Sequence, residues 1–465
     1  ILALMLALAV LLPVRGAEVA VVRITTVRGL LPMYIYLPAP DKCWGASIAG
    51  NSYVPGRMVV TVGSDTVYDS GEWADGQGMR LKIRGNTSAF HPFPSYKVKL
   101  SSKHDLMGLG CREKDWLLMS VHAQRDQRYA LLNNLTGCQV ATMLGMDWQP
   151  RYMFVERYLN GDYRGLYQLC DPVERADTRC KIKKSGFLIE NDAYWWKEKA
   201  GTWFRVPGQI PQLAFTFKYP DDELLTDSVV AQTKAYMTAF ADSLMLGGSI
   251  SGVLDLRAAA AWILAHDLLG IQDTHGSNMY MHKYGMGPKH QDTSPLVMGP
   301  LWDFDTAFQI DRSFSEHHSR SFFFMNGLFK RAEFLAAYKQ LWDSVRTTVV
   351  SSIDHVADSL ARHYGPALDL AIKRSNARRL EYVLPLAESA YNLHRYATKR
   401  VAWLDERIAR LRLPLVYTTH KPLRLYTLNG VYLGQFADYA ELLRLRRGNG
   451  VYIYTDGKRR ATITL

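Results

Sequence analysis

The sequence has few cysteines, and they follow no spacing that is typical of a metal site. Five occur in 465 residues, at Cys43, Cys111, Cys138, Cys170 and Cys180. The absence of paired Cys or His motifs argues against a zinc-binding module. A disulfide between Cys170 and Cys180 would close a hairpin loop, and separate buried thiols are the equal alternative. Because the count is odd, at least one thiol stays free.

Several catalytic signatures are absent too. The chain has no Gly-x-Ser-x-Gly elbow, no Walker lysine loop and no His-x3-His pair, which argues against a serine hydrolase, a P-loop NTPase and a zinc peptidase. It also lacks a recognisable RNA-binding signature, and its basic residues are spread along the chain, so we expect no nucleic-acid partner. The net charge of +12 nevertheless favours anionic partners, among them nucleotide phosphate.

Apolar runs of transmembrane length are missing. The run from Ile1 to Leu12 is too short to span a bilayer and is followed by small residues. It predicts the apolar region and cleavage site of a signal peptide over residues 1–17, with a buried N-terminal helix as the alternative. We therefore expect an exported protein without a transmembrane segment.

Strand patterns dominate the first half of the chain. Short β-rich stretches broken by turn residues predict an N-terminal β region over residues 18–78. Residues 79–84 and 96–100 then alternate between apolar and polar, which places Lys97 and Lys99 on one strand face. Residues 154–159 and 163–169 flank Asn160-Gly161 and predict a hairpin.

Helical periodicity dominates the second half. Helices are predicted over residues 131–144, 226–246, 255–270, 331–363 and 386–411, with Thr226 and Asp255 as N-caps and Gly270 as a C-terminal stop. Past Pro414 the pattern returns to strands. The order predicts an α+β protein with a β-rich lobe, a helical lobe and a small C-terminal β domain over residues 415–465.

Two acidic segments carry the strongest chemical signal. Asp273 and Asn278 stand five apart, the Asp-to-Asn spacing of a kinase catalytic loop, and Asp303-Phe304-Asp305 follows where a kinase has its metal-binding Asp-Phe-Gly. Phosphoryl transfer needs one carboxylate near the nucleophile, and an amide oxygen and a second carboxylate for Mg²⁺. Taken alone, the same residues are more typical of a loop Asp with an Asn turn and of a buried strand that ends in an Asp turn.

Further segments, in chain order, make the sequence resemble the CotH kinase family of secreted, spore-coat-protein-H-like atypical kinases. The resemblance covers about residues 80 to 410 and defines a CotH kinase-like domain over residues 79–412. Its blocks are Ile83-Arg84-Gly85-Asn86-Thr87-Ser88, Tyr96-Lys97-Val98-Lys99-Leu100, Trp116-Leu117-Leu118-Met119, residues 159–167, Gly186-Phe187-Leu188-Ile189-Glu190, Phe217-Lys218-Tyr219-Pro220, Asp273 and Trp302-Asp303-Phe304-Asp305.

The resemblance implies a two-lobed, atypical protein-kinase-like fold and the cofactors ATP and Mg²⁺ (or Mn²⁺). It implies that Asp273 accepts the proton of the acceptor hydroxyl or helps to hold the metal ion. It also implies that Asp303, Asp305 and Asn278 are metal ligands. It favours Lys99 as the residue that clamps the nucleotide phosphates, with Asp171 as the partner carboxylate. Lys97 lies on the same strand face and stays a second nucleotide-binding candidate, because spacing alone does not choose between the two lysines. Remaining nucleotide contacts fall to Glu190 and to the Arg84–Asn86 stretch, which could form a backbone nest or a plain β-turn.

Three departures from the family pattern bear on activity. Asp171 stands where the family often has Glu, Asn133-Asn134 where it usually has Arg-Asn, and Phe308-Gln309 where a Gly commonly follows. They motivate a second hypothesis, a catalytically weak surface adhesion or assembly protein, that is, a pseudokinase.

The C-terminal strands resemble a type A secretion-sorting domain of the type IX pathway in Bacteroidetes, with a plain accessory β domain as the alternative. The matching residues are Leu425-Tyr426-Thr427-Leu428-Asn429-Gly430, Gly450-Val451-Tyr452-Ile453-Tyr454 and Lys458-Arg459-Arg460. Together these resemblances imply a secreted, extracellular or outer-membrane-surface kinase with cell-surface attachment. It would transfer the ATP γ-phosphate to Ser or Thr of exported or surface protein substrates.

Overall fold

The computed structural model describes residues 18–122, 131–246, 250, 252–271, 273, 277–286, 294–309, 325–412, 422–437, 441–442, 451–455 and 460–464. The predicted signal peptide, residues 1–17, lies outside this set. Within the described part of the chain, no helix combines the length and the apolar character needed to cross a membrane. The five cysteines are all free thiols, so Cys170 and Cys180 are not bridged.

The first half of the chain forms a closed β-barrel. Its strands are paired in the order β1-β9-β10-β8-β7-β6-β4, and β4 pairs back onto β1 and also carries β5. The strands are β1 (Ala20–Thr26), β2 (Ile35–Leu37), β3 (Ser47–Ala49), β4 (Val54–Val62), β5 (Asp65–Asp69), β6 (Met79–Ile83), β7 (Tyr96–His104), β8 (Glu113–Ser120), β9 (Tyr152–Leu159) and β10 (Asp162–Cys170). β2 and β3 form a separate two-stranded ribbon.

Alternating side chains separate the inside of the barrel from the outside. Tyr96, Val98 and Leu100 of β7 are buried in the apolar barrel core, while Lys97 and Lys99 lie on the outer face. The predicted Asn-Gly hairpin is confirmed: β9 and β10 are antiparallel, and Asn160 and Gly161 both have positive φ angles (52° and 82°). That conformation matches the twist of two-residue hairpin turns.

Barrel closure depends on pairings between distant segments. β1 runs parallel to β9 and antiparallel to β4, and β4 pairs with β6. Strands on both sides of the predicted boundary at residues 78/79 therefore belong to one barrel.

A second, five-stranded antiparallel sheet follows, with the order β12-β13-β11-β14-β15. Its strands are β11 (Phe187–Asp192), β12 (Trp203–Phe204), β13 (Ala214–Tyr219), β14 (Met279–Lys283) and β15 (Leu296–Met298). Because β14 and β15 are antiparallel, the start of β14 and the end of β15 lie at the same edge of the sheet. The loops at that edge carry the acidic residues of interest.

Helices pack around this sheet and against the barrel. They are α1 (Asn133–Met143), α2 (Asp227–Leu246), α3 (Leu256–Leu269), α4 (Met325–Phe329), α5 (Ala332–Val345), α6 (Val349–Tyr364), α7 (Pro366–Arg379) and α8 (Leu386–Ala409). The Asp255 cap is confirmed by a 2.9 Å hydrogen bond from the Ala258 amide, and Gly270 ends α3 in the left-handed conformation. The single helix predicted over residues 331–363 is instead two, and α7 was not predicted.

The C-terminal strands form their own four-stranded sheet, β17-β16-β18-β19, around Leu423, Leu425 and Leu442. They are β16 (Leu423–Thr427), β17 (Tyr432–Phe436), β18 (Val451–Thr455) and β19 (Arg460–Thr464).

The α+β prediction is confirmed, as is the order of a β-rich region followed by helices. The two-lobed kinase arrangement is not confirmed, because the first half closes into a barrel rather than a recognisable kinase lobe.

Candidate functional site

A cavity of about 330 Å³ lies between one end of the barrel and the loops at the edge of β14 and β15. Six of the predicted site residues line it together, although they are spread over more than two hundred positions of sequence. They are Arg84, Asn86, Asp273, Asn278, Asp303 and Asp305. Lys97, Lys99, Asp171 and Glu190 do not line it.

Local structure explains why the acidic loops meet. Asp273 follows the end of α3, Asn278 immediately precedes β14, and Asp303 follows β15. The Asn278 side-chain amide donates to the Asp273 carbonyl at 3.4 Å, and the Asp273 amide donates to the Thr306 hydroxyl at 3.4 Å. The first bond lies within the loop before β14, and the second connects that loop to the loop after β15.

Two of the cavity residues have unusual backbone conformations. Asn278 and Asp303 both adopt left-handed φ angles, 68° and 64°. Non-glycine residues rarely adopt this conformation, and Asn and Asp do so more readily than other types. Such positions concentrate at functional sites, where neighbouring structure holds them in place. A 3.2 Å hydrogen bond from the Asp305 amide to Oδ1 of Asp303 helps to hold the second loop.

The carboxylates of the cavity repel one another. Burial and, to a smaller extent, the nearby charges of Asp305 and Asp273 together raise the pKa of Asp303 to about 8, while Arg84 opposes the shift. Burial likewise raises the pKa of Asp305, against the opposing effects of His122 and Arg84. A bound cation would relieve this repulsion.

Carboxylate and amide oxygens are the donors that Mg²⁺ prefers, usually one or two carboxylates completed by substrate phosphates and water. The donor set of Asp303, Asp305, Asp273 and Asn278 therefore fits Mg²⁺ or Mn²⁺. Among the described residues, no group of three or more His, Cys, Asp or Glu side chains is gathered closely enough to hold an ion by itself. The remaining ligands would come from the nucleotide.

Arg84 is the cation at the barrel end of the cavity. Its guanidinium lies 5.6 Å from the ring of Trp302 and donates to the sulfur of Met119 at 3.3 Å. Gly85 follows with a positive φ of 108°, and a β-carbon there would lie 2.3 Å from the Ser88 hydroxyl oxygen. A 3₁₀ turn over Thr87–Phe90 comes next. The side-chain oxygen of Asn86 is already engaged, since it accepts hydrogen bonds from Ser47 and Lys197, both at 2.7 Å.

Glu190 supports the cavity from behind. Its carboxylate accepts a 2.8 Å hydrogen bond from the Asn278 backbone amide and pairs with Lys218 at 2.8 Å. Asp192, two residues along the same strand, accepts from the Tyr194 amide at 2.8 Å and the Ser277 hydroxyl at 3.2 Å. Burial and the charge of Glu190 raise the pKa of Asp192 to about 6. Glu190 therefore positions the Asn278 loop.

The predicted pairing of Asp171 with Lys99 is wrong. Asp171 is fully buried, and its two carboxylate oxygens pair with Arg151 at 2.7 Å and Arg179 at 2.9 Å. Lys99 lies on the outer barrel face, in register with Arg80 and Asp115. Its strand neighbour Lys97 pairs with Asp115 at 3.3 Å. Strand alternation located both lysines correctly on one face, but it could not show that neither lysine lines the cavity.

Sequence reasoning missed several cavity residues. Tyr194, His122 and Trp44 line the cavity, and the ring of His122 stacks on that of His91 at 4.2 Å. Tyr194 belongs to the aromatic cluster Tyr194-Trp195-Trp196, which in the sequence alone is typical of a large loop that packs on the core. Asn133, at a departure from the family pattern, donates a 3.1 Å hydrogen bond to the Phe304 carbonyl and so supports the Asp303–Asp305 segment.

Comparison with known families matches this part of the chain. A family model described as CotH kinase protein matches residues 81–404, a span that contains all six cavity residues. No curated protein matches the chain significantly.

Proposed function

Because the chain belongs to the CotH kinase family, we propose that it is a secreted or surface protein kinase. It transfers the γ-phosphate of ATP to Ser or Thr hydroxyls of exported proteins. The observation that carries the proposal is the convergence of Asp273, Asn278, Asp303 and Asp305 with Arg84 on one cavity. The barrel takes the place of a kinase N-lobe, and the sheet and helices after it take the place of a C-lobe.

Five of the six predicted cavity residues have a role in this proposal. Asp273 accepts the proton of the acceptor hydroxyl. It lies on the loop before β14, apart from Asp303 and Asp305 on the loop after β15, and it resembles the catalytic-loop Asp of the family. Asp303 and Asp305, with Asn278, would hold Mg²⁺ or Mn²⁺, and the ion would neutralise charge on the phosphates. Arg84 faces the same carboxylates from the barrel side and binds phosphate oxygens. Catalysis is mostly positioning and charge neutralisation.

The proposal can be tested by nucleotide-dependent stabilisation. A ligand at a hundredfold excess over its dissociation constant stabilises the folded state by about 2.7 kcal/mol. We expect ATP to raise the melting temperature when Mg²⁺ or Mn²⁺ is present and to have little effect in EDTA. No shift at millimolar ATP with either cation would contradict the proposal and favour the alternative, an adhesion or assembly protein without turnover.

The export part of the proposal is supported by the signal-like residues 1–17 and the sorting-like residues 415–465. Deleting the chain from Pro414 tests it in a Gram-negative host that has the type IX pathway. We expect the truncated protein to accumulate in the periplasm and to keep its ATP-dependent melting shift. Normal surface delivery of the truncated protein would contradict a sorting role.

A further inference from the structure

The outer face of β6 and β7 carries four cations that lie directly opposite one another. Arg80 pairs in register with Lys99, and Lys82 pairs in register with Lys97. Like charges at directly opposed positions of antiparallel strands destabilise a sheet. We call these four side chains the cationic face. Its two like-charged pairs need an explanation beyond folding.

Neighbouring acids offset this charge only in part. Among the residues that the structure describes, one carboxylate lies within ion-pair distance of the cationic face, Asp115 at 3.3 Å from Lys97. The ring of Tyr53 lies 4.9 Å from the Lys82 ammonium and 5.4 Å from the Arg80 guanidinium. Burial lowers the pKa of Lys82, and the charge of Lys97 lowers it further. The face therefore retains excess positive charge.

The cationic face begins beside the cavity. Arg84 directly follows the last residue of β6 and stands two residues beyond Lys82, and its amide continues the pairing with a 3.0 Å hydrogen bond to the Ser95 carbonyl. Continued alternation places it on the same side as Lys82, where it lines the cavity. Strands advance about 3.4 Å per residue, so successive rows of this face are about 7 Å apart. Lys197 adds a further charge at this junction, where it donates to Asn86 at 2.7 Å. Positive charge thus continues from the cavity outward along the barrel.

We propose that the cationic face binds acidic residues flanking the acceptor hydroxyl of an extended protein segment, an inference that rests on the proposed kinase function. In an extended segment, side chains on one side also recur about every 7 Å, so carboxylates at alternate positions match successive rows. The acceptor residue would lie in the cavity and the acidic flank along β6 and β7.

An acidic protein segment fits this face better than a nucleic acid does. Single strands are bound by aromatic platforms on which successive bases stack. Tyr53 is the aromatic ring that contacts these cations, and Arg80 and Lys82 already lie against it. The lysines present compact point charges, which suit scattered carboxylates.

Binding can be measured with a fluorescein-labelled peptide that has Glu at alternate positions beside an Ala in place of the acceptor. The comparison peptide has Gln at the same positions. We expect the full-length protein to bind the Glu peptide at least about tenfold more tightly than the Gln peptide, and to lose that preference as salt screens the charges. The double variant Arg80→Gln/Lys82→Gln should bind the Glu peptide about tenfold more weakly.

Lys103→Gln is the matched control. Lys103 is also on β7, but its side chain is more than half exposed and pairs with Glu113 at 2.8 Å. Because exposed ion pairs contribute little, the loss of Lys103 should change peptide affinity by less than about twofold. Unchanged affinity in the double variant would overturn the proposal. So would displacement of the Glu peptide by an oligo-dT strand at lower concentration than by unlabelled Glu peptide.

Failure of the docking surface and failure of the kinase function are distinguishable. The ATP-dependent melting shift should be the same in the double variant and the unmodified protein, because Arg80 and Lys82 do not line the cavity. Loss of peptide selectivity with the shift intact confirms the docking surface. An absent shift in both proteins would contradict the kinase assignment, while peptide affinities would still decide what the cationic face binds.

Discussion

The backbone amide of Asp273 donates a hydrogen bond to the hydroxyl of Thr306 at 3.4 Å, which joins the two loops that carry the candidate acidic residues. One loop follows α3 and the other follows β15, and between them the chain forms β14 and β15. The antiparallel pairing of these two strands brings both loops to one edge of the sheet, and the hydrogen bond then links the loops there.

Asp303 is expected to lower stability in the free protein. Its raised pKa means that the folded state disfavours the carboxylate at neutral pH. Asp303→Asn should therefore stabilise the nucleotide-free protein at pH 7 by about 2 kcal/mol, less than the full 1.36 kcal/mol per pKa unit because the side chain is partly exposed. The same variant should lose the cation-dependent effect of ATP. Both are measurable by thermal unfolding.

The sign of this effect can be checked with pH. A carboxyl whose pKa is raised on folding costs stability above its unfolded pKa of 3.8, so the gain in Asp303→Asn should disappear as the pH falls toward that value. Asp303→Ala is the conformational control. Alanine lacks the tolerance of Asn for the left-handed φ of 64°, so this variant should be less stable than Asp303→Asn by about 1 kcal/mol. Equal stability of all three proteins would contradict the account.

Arg84, rather than Lys99, should control nucleotide affinity. Arg84 lines the cavity, whereas Lys99 lies on the outer barrel face. Arg84→Gln is expected to remove most of the ATP-dependent melting shift, and Lys99→Gln to retain it. Isothermal titration with ATP and Mg²⁺ would give the affinities directly. The opposite ranking would show that the barrel rearranges on binding to bring Lys99 to the phosphates.

Asp171→Asn should destabilise the whole fold. The fully buried carboxylate compensates Arg151 and Arg179, and removing one partner of a buried ion pair costs about 3 to 5 kcal/mol. Asp162→Asn is the comparison, because the Asp162 carboxylate is about half exposed in its pairs with Arg164 and Arg378, so these pairs are worth at most about 1 kcal/mol. Chemical denaturation of the two variants would separate them. A stable Asp171→Asn protein that merely loses nucleotide affinity would restore the role implied by the family resemblance.

Much of the local structure could be predicted from the sequence, but the closure of the barrel by strands that are distant in sequence could not. Strand alternation, the Asn160-Gly161 turn and the Asp255 cap are encoded in neighbouring residues, and all three are present. The parallel pairing of β1 with β9 joins segments more than a hundred residues apart, for which no local pattern exists. For the same reason, spacing identified Asp273, Asn278 and Asp303, but it could not exclude Asp171 or Lys99 from the cavity.

His266 should make stability depend on pH. It is almost fully buried in α3, its Nδ1 is 2.7 Å from the Trp262 carbonyl, and burial lowers its pKa from 6.5 to about 4. The unfolded chain then binds more protons between those values, so stability is present above pH 6.5 and is lost as the pH falls toward 4. The full loss in unfolding free energy is about 3 kcal/mol, at 1.36 kcal/mol per pKa unit.

His266→Gln provides the comparison, since Gln can still donate to the Trp262 carbonyl but does not titrate. Unfolding free energies measured at several pH values from 7 to 4 should fall less steeply for this variant than for the unmodified protein. Parallel curves would mean that His266 is not the group responsible.

Phosphate transfer by the cavity can be measured by incubating the protein with γ-labelled ATP, Mg²⁺ and exported proteins from the same cells. We expect incorporation of label that needs the cation. Asp273→Asn, purified identically, should incorporate label at least about a hundredfold more slowly while binding ATP within a few-fold of normal, as expected for loss of a general base. Equal incorporation by the two proteins would mean that Asp273 is not the general base, and no incorporation by either despite tight ATP binding would show that the cavity does not transfer phosphate.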